Sequence, residues 1–282
     1  MAQLTLYDHP VSSYAQKIRI ALREKNIPFT AQLPTTFSQG TVDEVYRKAS
    51  PRLEVPALID GTTAIFDSTI ILEYIEEKFP SPALLPSVSE ARTVGENELH
   101  KVLAARAKAR MLEDLCDTTY EAINWGYGEI YWMGRADHNS TLKEKLTREA
   151  ALQTVEIQAW LAEKLGEHEY FGEEFGFGWA DVCVAPIVNR SAYFGFGPEK
   201  GSALAKWLDR VRARESVKQT FAEFEVAAGK MGDMKGPFDR GERKREYRDS
   251  RLEWLVKSGG IEIVQRGLDK GNIRFIWPDA KL

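Results

Sequence analysis

The stretch that decides the fold is Leu4-Thr5-Leu6-Tyr7-Asp8-His9-Pro10-Val11-Ser12-Ser13-Tyr14-Ala15-Gln16-Lys17-Ile18-Arg19. Leu4 to Tyr7 reads as a short strand, halted by His9-Pro10. From Ser12 to about Lys25 the residues Ala15, Ile18, Ala21 and Leu22 recur at three- and four-residue spacing and line one face of a helix. A strand running directly into a helix opens an α/β layer. Working outward, Phe29 to Leu33 gives a second strand, and Val42 to about Lys48 a short helix ended by Ser50-Pro51. Ala57-Leu58-Ile59 and Ala64-Ile65-Phe66 flank Asp60-Gly61-Thr62, and an Asp-Gly dipeptide between apolar runs predicts an antiparallel hairpin. Ser68 is placed to cap a helix whose Ile71, Tyr74, Ile75 and Phe79 face inward, ending before Pro80. The predicted order over residues 1–82 is β-α-β-α-β-β-α.

Pro80-Ser81-Pro82 through Pro86-Ser87 has the texture of an interdomain linker. The helical period then dominates residues 90–230, with candidate helices near 90–118, 140–166, 179–194, 203–213 and 216–228, so the second domain is expected to be all-α. Residues 231–282 form an extension, in which a charged helix carrying Tyr247, Leu252, Trp254 and Leu255 is expected to pack on the helical domain. Its run from Arg240 to Arg251 holds six cations among Glu242, Glu246 and Asp249 and reads as a mixed-charge helix surface; a nucleic-acid arm and a lid over the cleft are the alternatives.

The chain has 282 residues, enough for one large or two ordinary domains at about 150 residues each. With 43% hydrophobic and 28% charged residues it is an ordinary globular composition, which excludes wholesale disorder. A net charge of -4 gives no general reason to expect nucleic acid or anionic lipid as partner. Cys116 and Cys183 form no C-x-x-C pair, and His9, His100, His138 and His168 are scattered, so no redox dithiol or metal site is expected. No apolar run approaches the roughly 20 residues that span a bilayer, and no leader pattern precedes the first strand, so a cytoplasmic protein is expected.

Three short elements carry chemistry. Ser12 and Ser13 stand where a loop enters a helix, beside unpaired N–H groups and the positive end of the helix dipole, an environment that favours an anion; capping alone also accounts for Ser12. In Glu54-Val55-Pro56-Ala57, a cis Val55-Pro56 bond would turn the Val55 N–H and C=O outward to pair with a peptide-like ligand, whereas a trans bond would mark an ordinary strand start. Asp67-Ser68 can receive an ammonium and a carboxylate, or simply cap a helix.

In this order and spacing, followed by a Pro-rich linker and a helical domain, the three elements over residues 1 to about 230 resemble the cytosolic glutathione transferases. Phe171-Gly172 through Gly178-Trp179-Ala180-Asp181 is similar to that family's helix-capping segment, with Gly178 where a Ser or Thr is usual. The resemblance implies a thioredoxin-like N-terminal domain, an all-helical C-terminal domain and a homodimer. It also implies glutathione as co-substrate, with no metal and no protein base. Ser12 would be the activating residue, with Ser13 as runner-up. Val55 would pair with the cysteinyl backbone, cis-Pro56 would hold that loop, and Asp67 and Ser68 would bind the γ-glutamyl end. Glu54 departs from the Lys or Gln found in many members, so either Arg52 or Lys48 is expected to meet the glycine carboxylate or Glu54 to point elsewhere. The implied activity is transfer of the thiolate to a hydrophobic electrophile. Ether cleavage, dehalogenation and a non-catalytic glutathione-binding role are the alternatives. The aromatic run 120–133, with Trp125, Tyr127, Tyr131 and Trp132, is expected to line the electrophile pocket or to pack as core, and Tyr193-Phe194-Gly195-Phe196-Gly197 to face the same cleft.

Overall fold

The computed structural model describes residues 4–34, 43–240, 250–271 and 273. Strand β1 (Leu4–Tyr7) leads into α1 (Ser13–Glu24), and β2 (Phe29–Gln32), α2 (Glu44–Ala49), β3 (Ala57–Asp60), β4 (Thr63–Phe66) and α3 (Ser68–Lys78) follow. The sheet order is β2-β1-β3-β4, with β2 parallel to β1, β3 antiparallel to β1, and β4 antiparallel to β3. This is the thioredoxin-like arrangement, and a helical domain completes the fold. The cap of α3 differs from the expectation. Asp67, with φ 74, accepts from the N–H groups of Thr69 and Ile70, and Ser68 is the first helical residue.

The helical domain begins with α4 (Val88–Val94) and α5 (Glu96–Leu115), where a single helix over 90–118 was predicted. Gly95, at φ 144, turns the chain between them, a conformation that side chains rarely adopt. Alpha5 passes through a π-helical turn at Cys116–Tyr120 into α6 (Glu121–Tyr131), which the aromatic run concealed. Then come α7 (Ser140–Leu165), α8 (Trp179–Tyr193), α9 (Ala203–Arg212) and α10 (Glu215–Ala228). The extension adds α11 (Lys235–Asp239), α12 (Ser250–Lys257) and α13 (Ile261–Asp269). Leu252 and Trp254 of α12 are 45% and 61% exposed, and Tyr247 lies outside the described residues.

One core runs through both domains, from Leu6, Ile18, Leu58 and Ile71 to Cys116, Leu161, Trp179, Val184 and Trp207. Helix α1 is its keystone. Apolar spacing assigns it one buried face, yet Gln16, Lys17 and Arg19 are buried as well, because the helical domain covers the other side. The charges are paired: Lys17 Nζ lies 2.6 Å from Glu113 and 2.5 Å from Asp117, and Arg19 lies 2.5 Å from Asp8 and also contacts Glu223. Burial opposes the Lys17 charge, but Asp117 and Glu113 outweigh it and hold the ammonium above the usual lysine range.

At α8, Asp181 accepts from the N–H groups of Gly178 (3.1 Å) and Phe171 (3.0 Å) and from the indole of Trp207 (2.7 Å). The glycine at the cap position has a steric reason. A Cβ on residue 178 would stand 2.6 Å from the Leu84 carbonyl, which accepts the Trp179 N–H at 2.8 Å, so the linker lies directly against the backbone here.

Candidate active site

The strand register places the three sequence elements together. Tyr7 of β1 faces Ala57 of β3, and Ala57 faces Phe66 of β4. The loop after Tyr7, the bend before Ala57 and the residue after Phe66 therefore leave the sheet at the same end. That end holds Ser12, Val55-Pro56 and Asp67-Ser68.

Ser12 is the N-cap of α1, its Oγ accepting the Ala15 N–H at 3.3 Å. This settles the capping part of its reading without exhausting it, because a hydroxyl that accepts with its oxygen keeps its own proton to donate. Ser13 differs. It is 1% exposed, and its Oγ donates to Glu121 at 3.2 Å. Tyr14 is committed too, donating its phenol to the Asp117 carbonyl at 2.7 Å, in the π-helical turn. His9 supports the loop, accepting the Val11 N–H on Nδ1 at 3.1 Å, and burial with the nearby Arg190 and Arg19 lowers its pKa.

The Val55-Pro56 bond is cis. Ser50 ties down the approach to it, its hydroxyl donating to the Glu54 carbonyl at 2.9 Å and accepting the Glu54 N–H at 3.1 Å. Asp67 divides its carboxylate, with Oδ1 on the Thr69 and Ile70 N–H groups and Oδ2 3.4 Å from Arg52. Arg52 also lies 2.9 Å from Glu54 and 5.3 Å from the Phe66 ring centre. The guanidinium thus bridges the carboxylates of Glu54 and Asp67. Lys48 is exposed.

The aromatic run resolves into different environments. Trp132 is 5% exposed and packs with Val11, Phe194 and Phe224, so it is core rather than an open wall. Tyr127 lies 4.7 Å from Phe196 and 5.3 Å from Phe194, and Tyr131, 5.2 Å from Phe194, is 44% exposed. Trp125 is half-buried on the same helix. Because Val11 belongs to this cluster, the rings flank the loop that carries Ser12. A cavity of about 960 Å³ between the linker, α5 and residues 171–180 touches none of these residues. Cys116 and Cys183 are buried, and burial raises both thiols. Among the described residues, no cluster of His, Cys, Asp and Glu could hold a metal ion, and no helix is long and apolar enough to cross a membrane.

Sequence reasoning missed Glu121 and Arg190. Glu121 Oε1 pairs with Arg190 Nη1, and Arg190 Nη2 donates to the Val11 carbonyl. Burial raises the Glu121 pKa, against the pull of Arg190 and the Ser13 hydrogen bond. Nothing in local spacing signals this pair, whose two members are brought to α1 from helices far along the chain.

Residues 6–83 match the family model described as glutathione S-transferase, N-terminal domain. The stringent starvation protein A homolog of Haemophilus ducreyi is 24% identical over 220 residues, covering 77% of this chain and 89% of that protein. Glutathione S-transferase U28 of Arabidopsis thaliana is 28% identical over 232 residues, covering 79% and 91%. Among solved structures, rice GST1 in complex with glutathione superposes with a TM-score of 0.63 at 24% identity, covering 82% of this chain and 97% of that one. Residues 6–83 thus carry a glutathione S-transferase N-terminal domain, on a two-domain fold similar to that of rice GST1.

Proposed function

We propose that the chain binds glutathione at the shared end of β1, β3 and β4 and activates its thiol for attack on a hydrophobic or aromatic electrophile. The observation that supports this most is the register that gathers Ser12, Val55 and Asp67-Ser68 at one sheet end. The Val55 N–H and C=O pair with the cysteinyl backbone in the manner of an added strand. Asp67 receives the γ-glutamyl ammonium, while Ser68 and the first N–H groups of α3 receive its carboxylate. Arg52 turns toward the glycine carboxylate.

The Ser12 hydroxyl then donates to sulfur, with the N-terminus of α1 behind it. A free thiol near pKa 8.5 is only a few per cent ionised at pH 7, and this pairing lowers it by about one to two units. The thiol proton leaves to solvent, the sulfur lone pair forms the carbon–sulfur bond, and the leaving group departs with its electron pair. A serine in this place disfavours thiol–disulfide exchange, which needs a protein sulfur. Tyr131 and Tyr127 supply aromatic surface for the electrophile.

The test is Ser12→Ala with retention on immobilised glutathione and turnover of an aryl halide. Turnover is expected to fall about 10- to 100-fold with glutathione affinity within several-fold. Unchanged turnover, or a wild type that immobilised glutathione does not retain, overturns the reading; retention without turnover leaves a binding protein of the same fold.

Assembly as a homodimer belongs to this reading. Phe66, Ile70, Leu103 and Met111 are exposed apolar residues on β4, α3 and α5, and these helices are joined by the Glu73–Arg110 and Thr69–Glu113 contacts. Met111→Glu is expected to halve the mass measured by light scattering.

A further inference from the structure

Ser12 is held by its own backbone, its N–H donating to the His9 carbonyl at 2.8 Å and its carbonyl accepting from the Gln16 N–H at 3.0 Å, and its two neighbours are held as well. On one side, the Val11 carbonyl accepts from Arg190 Nη2; on the other, Ser13 Oγ donates to Glu121 Oε2 at 3.2 Å. Glu121 and Arg190 are themselves an ion pair, so one buried unit on α6 and α8 grips the chain immediately before and immediately after residue 12. Val11, Ser13, Glu121 and Arg190 are all 5% exposed or less. The Arg190 guanidinium also lies over the Trp132 ring, 5.6 Å from its centre.

Stability is a weak explanation for this unit. A buried ion pair seldom outperforms an apolar replacement, and here the buried Arg190 Nε has no hydrogen-bond partner among the described residues. Nor is it needed to join the domains. Lys17 with Glu113 and Asp117, Arg19 and Arg23 with Glu223, and Glu24 with Arg214 already tie α1 to the helical domain, and none of these touches residues 11–13. What the Glu121–Arg190 pair does is hold the Val11 carbonyl on one side of Ser12 and the Ser13 hydroxyl on the other. These two contacts tie the position of the Ser12 hydroxyl to the helical domain.

We infer that Glu121 and Arg190 are positioning residues for thiol activation, holding the Ser12 hydroxyl at the sulfur from the helical domain. The inference rests on the reading of Ser12 above. Activation by a hydrogen bond is steep in geometry, and a misplacement of about 1 Å can cost 100-fold.

The experiment uses the full chain with glutathione as probe. The ultraviolet thiolate band of the bound tripeptide is titrated against pH, and kcat and KM are measured with an aryl halide. Arg190→Lys keeps a cation opposite Glu121 but loses the two-pronged contact, and Glu121→Gln removes the charge that orients it. Each is expected to raise the bound thiol's apparent pKa by about half a unit or more and to lower kcat about tenfold, with KM for glutathione within about threefold. Wild-type thiol titration and kcat in both folded variants overturn the inference. Should neither fold, Ser13→Ala, which removes one hydroxyl, decides by the same titration: an unchanged thiol pKa overturns it. The two readings separate cleanly. A wild type with no thiolate band, or a Ser12→Ala variant that retains it, removes the role of Ser12 and this inference with it. A band lost in Ser12→Ala but intact in Arg190→Lys and Glu121→Gln removes the positioning role alone.

Discussion

Arg52 stands between Glu54, at 2.9 Å, and Asp67, at 3.4 Å, and this sharing decides how the site meets an anionic tripeptide. The single positive charge of the guanidinium offsets one of these two carboxylates and leaves one net negative charge. On the proposed reading, the glycine carboxylate of glutathione would compete with Glu54 for the same cation. Glu54→Gln removes the competitor and one negative charge, so glutathione should bind several-fold tighter by calorimetry. Because Arg52 is half-exposed, the exchange should alter stability by no more than about 1 kcal/mol. Weaker binding in this variant would mean that Arg52 depends on Glu54 for its position. Ser12 caps α1 with a lone pair and keeps its hydroxyl proton, which the proposed reading directs to sulfur.

At the scale of elements, the N-terminal domain was legible because its signals are local: alternating strands, the Asp60-Gly61 turn and three helix entries each sit within a few residues. The helical domain was legible in its long amphipathic helices and not at α6, where Gly126, Gly128 and the crowded rings hide the helical period. Most opaque was the polar side of α1. Lys17 and Arg19 look like solvent-facing cations in sequence, and only the arrival of Glu113, Asp117 and Glu223 from elsewhere makes them interior. Asp181 was placed correctly at the start of α8, but its burial was not foreseeable from spacing. Burial raises its carboxyl to about 6 from the ordinary 3.8, against the three donors that surround it. The folded state therefore holds this proton where the unfolded chain has released it, so the contribution of Asp181 to stability falls as pH rises from about 4 to about 6 and is flat above. Asp181→Asn cannot titrate. The stability gap between wild type and variant, from urea unfolding, should widen in favour of wild type as pH is lowered from 6 to 4; a constant gap would show that the three donors cancel the burial.

At the scale of the molecule, the division of charge sets the extension apart. The chain is acidic overall at -4, yet residues 240–282 hold eleven Lys and Arg against seven Asp and Glu. None of the three matches reported above spans more than 82% of this chain. An amphipathic pattern had suggested docking. In the structure Leu252, Trp254, Val256 and Ile263 are 45–67% exposed, and apolar area that stays in water contributes nothing to the core. The segment before Arg240 is different, because Lys235 reaches Asp137 at 3.4 Å and Met231 packs on the cluster that holds Val11. A chain ending at Arg240 should therefore keep its fold, melting within about 2 °C of the full chain and retaining glutathione affinity. If melting falls by much more, the extension covers core surface after all. If stability holds while turnover of bulky electrophiles changes, residues 241–282 bear on the choice of electrophile and not on the fold.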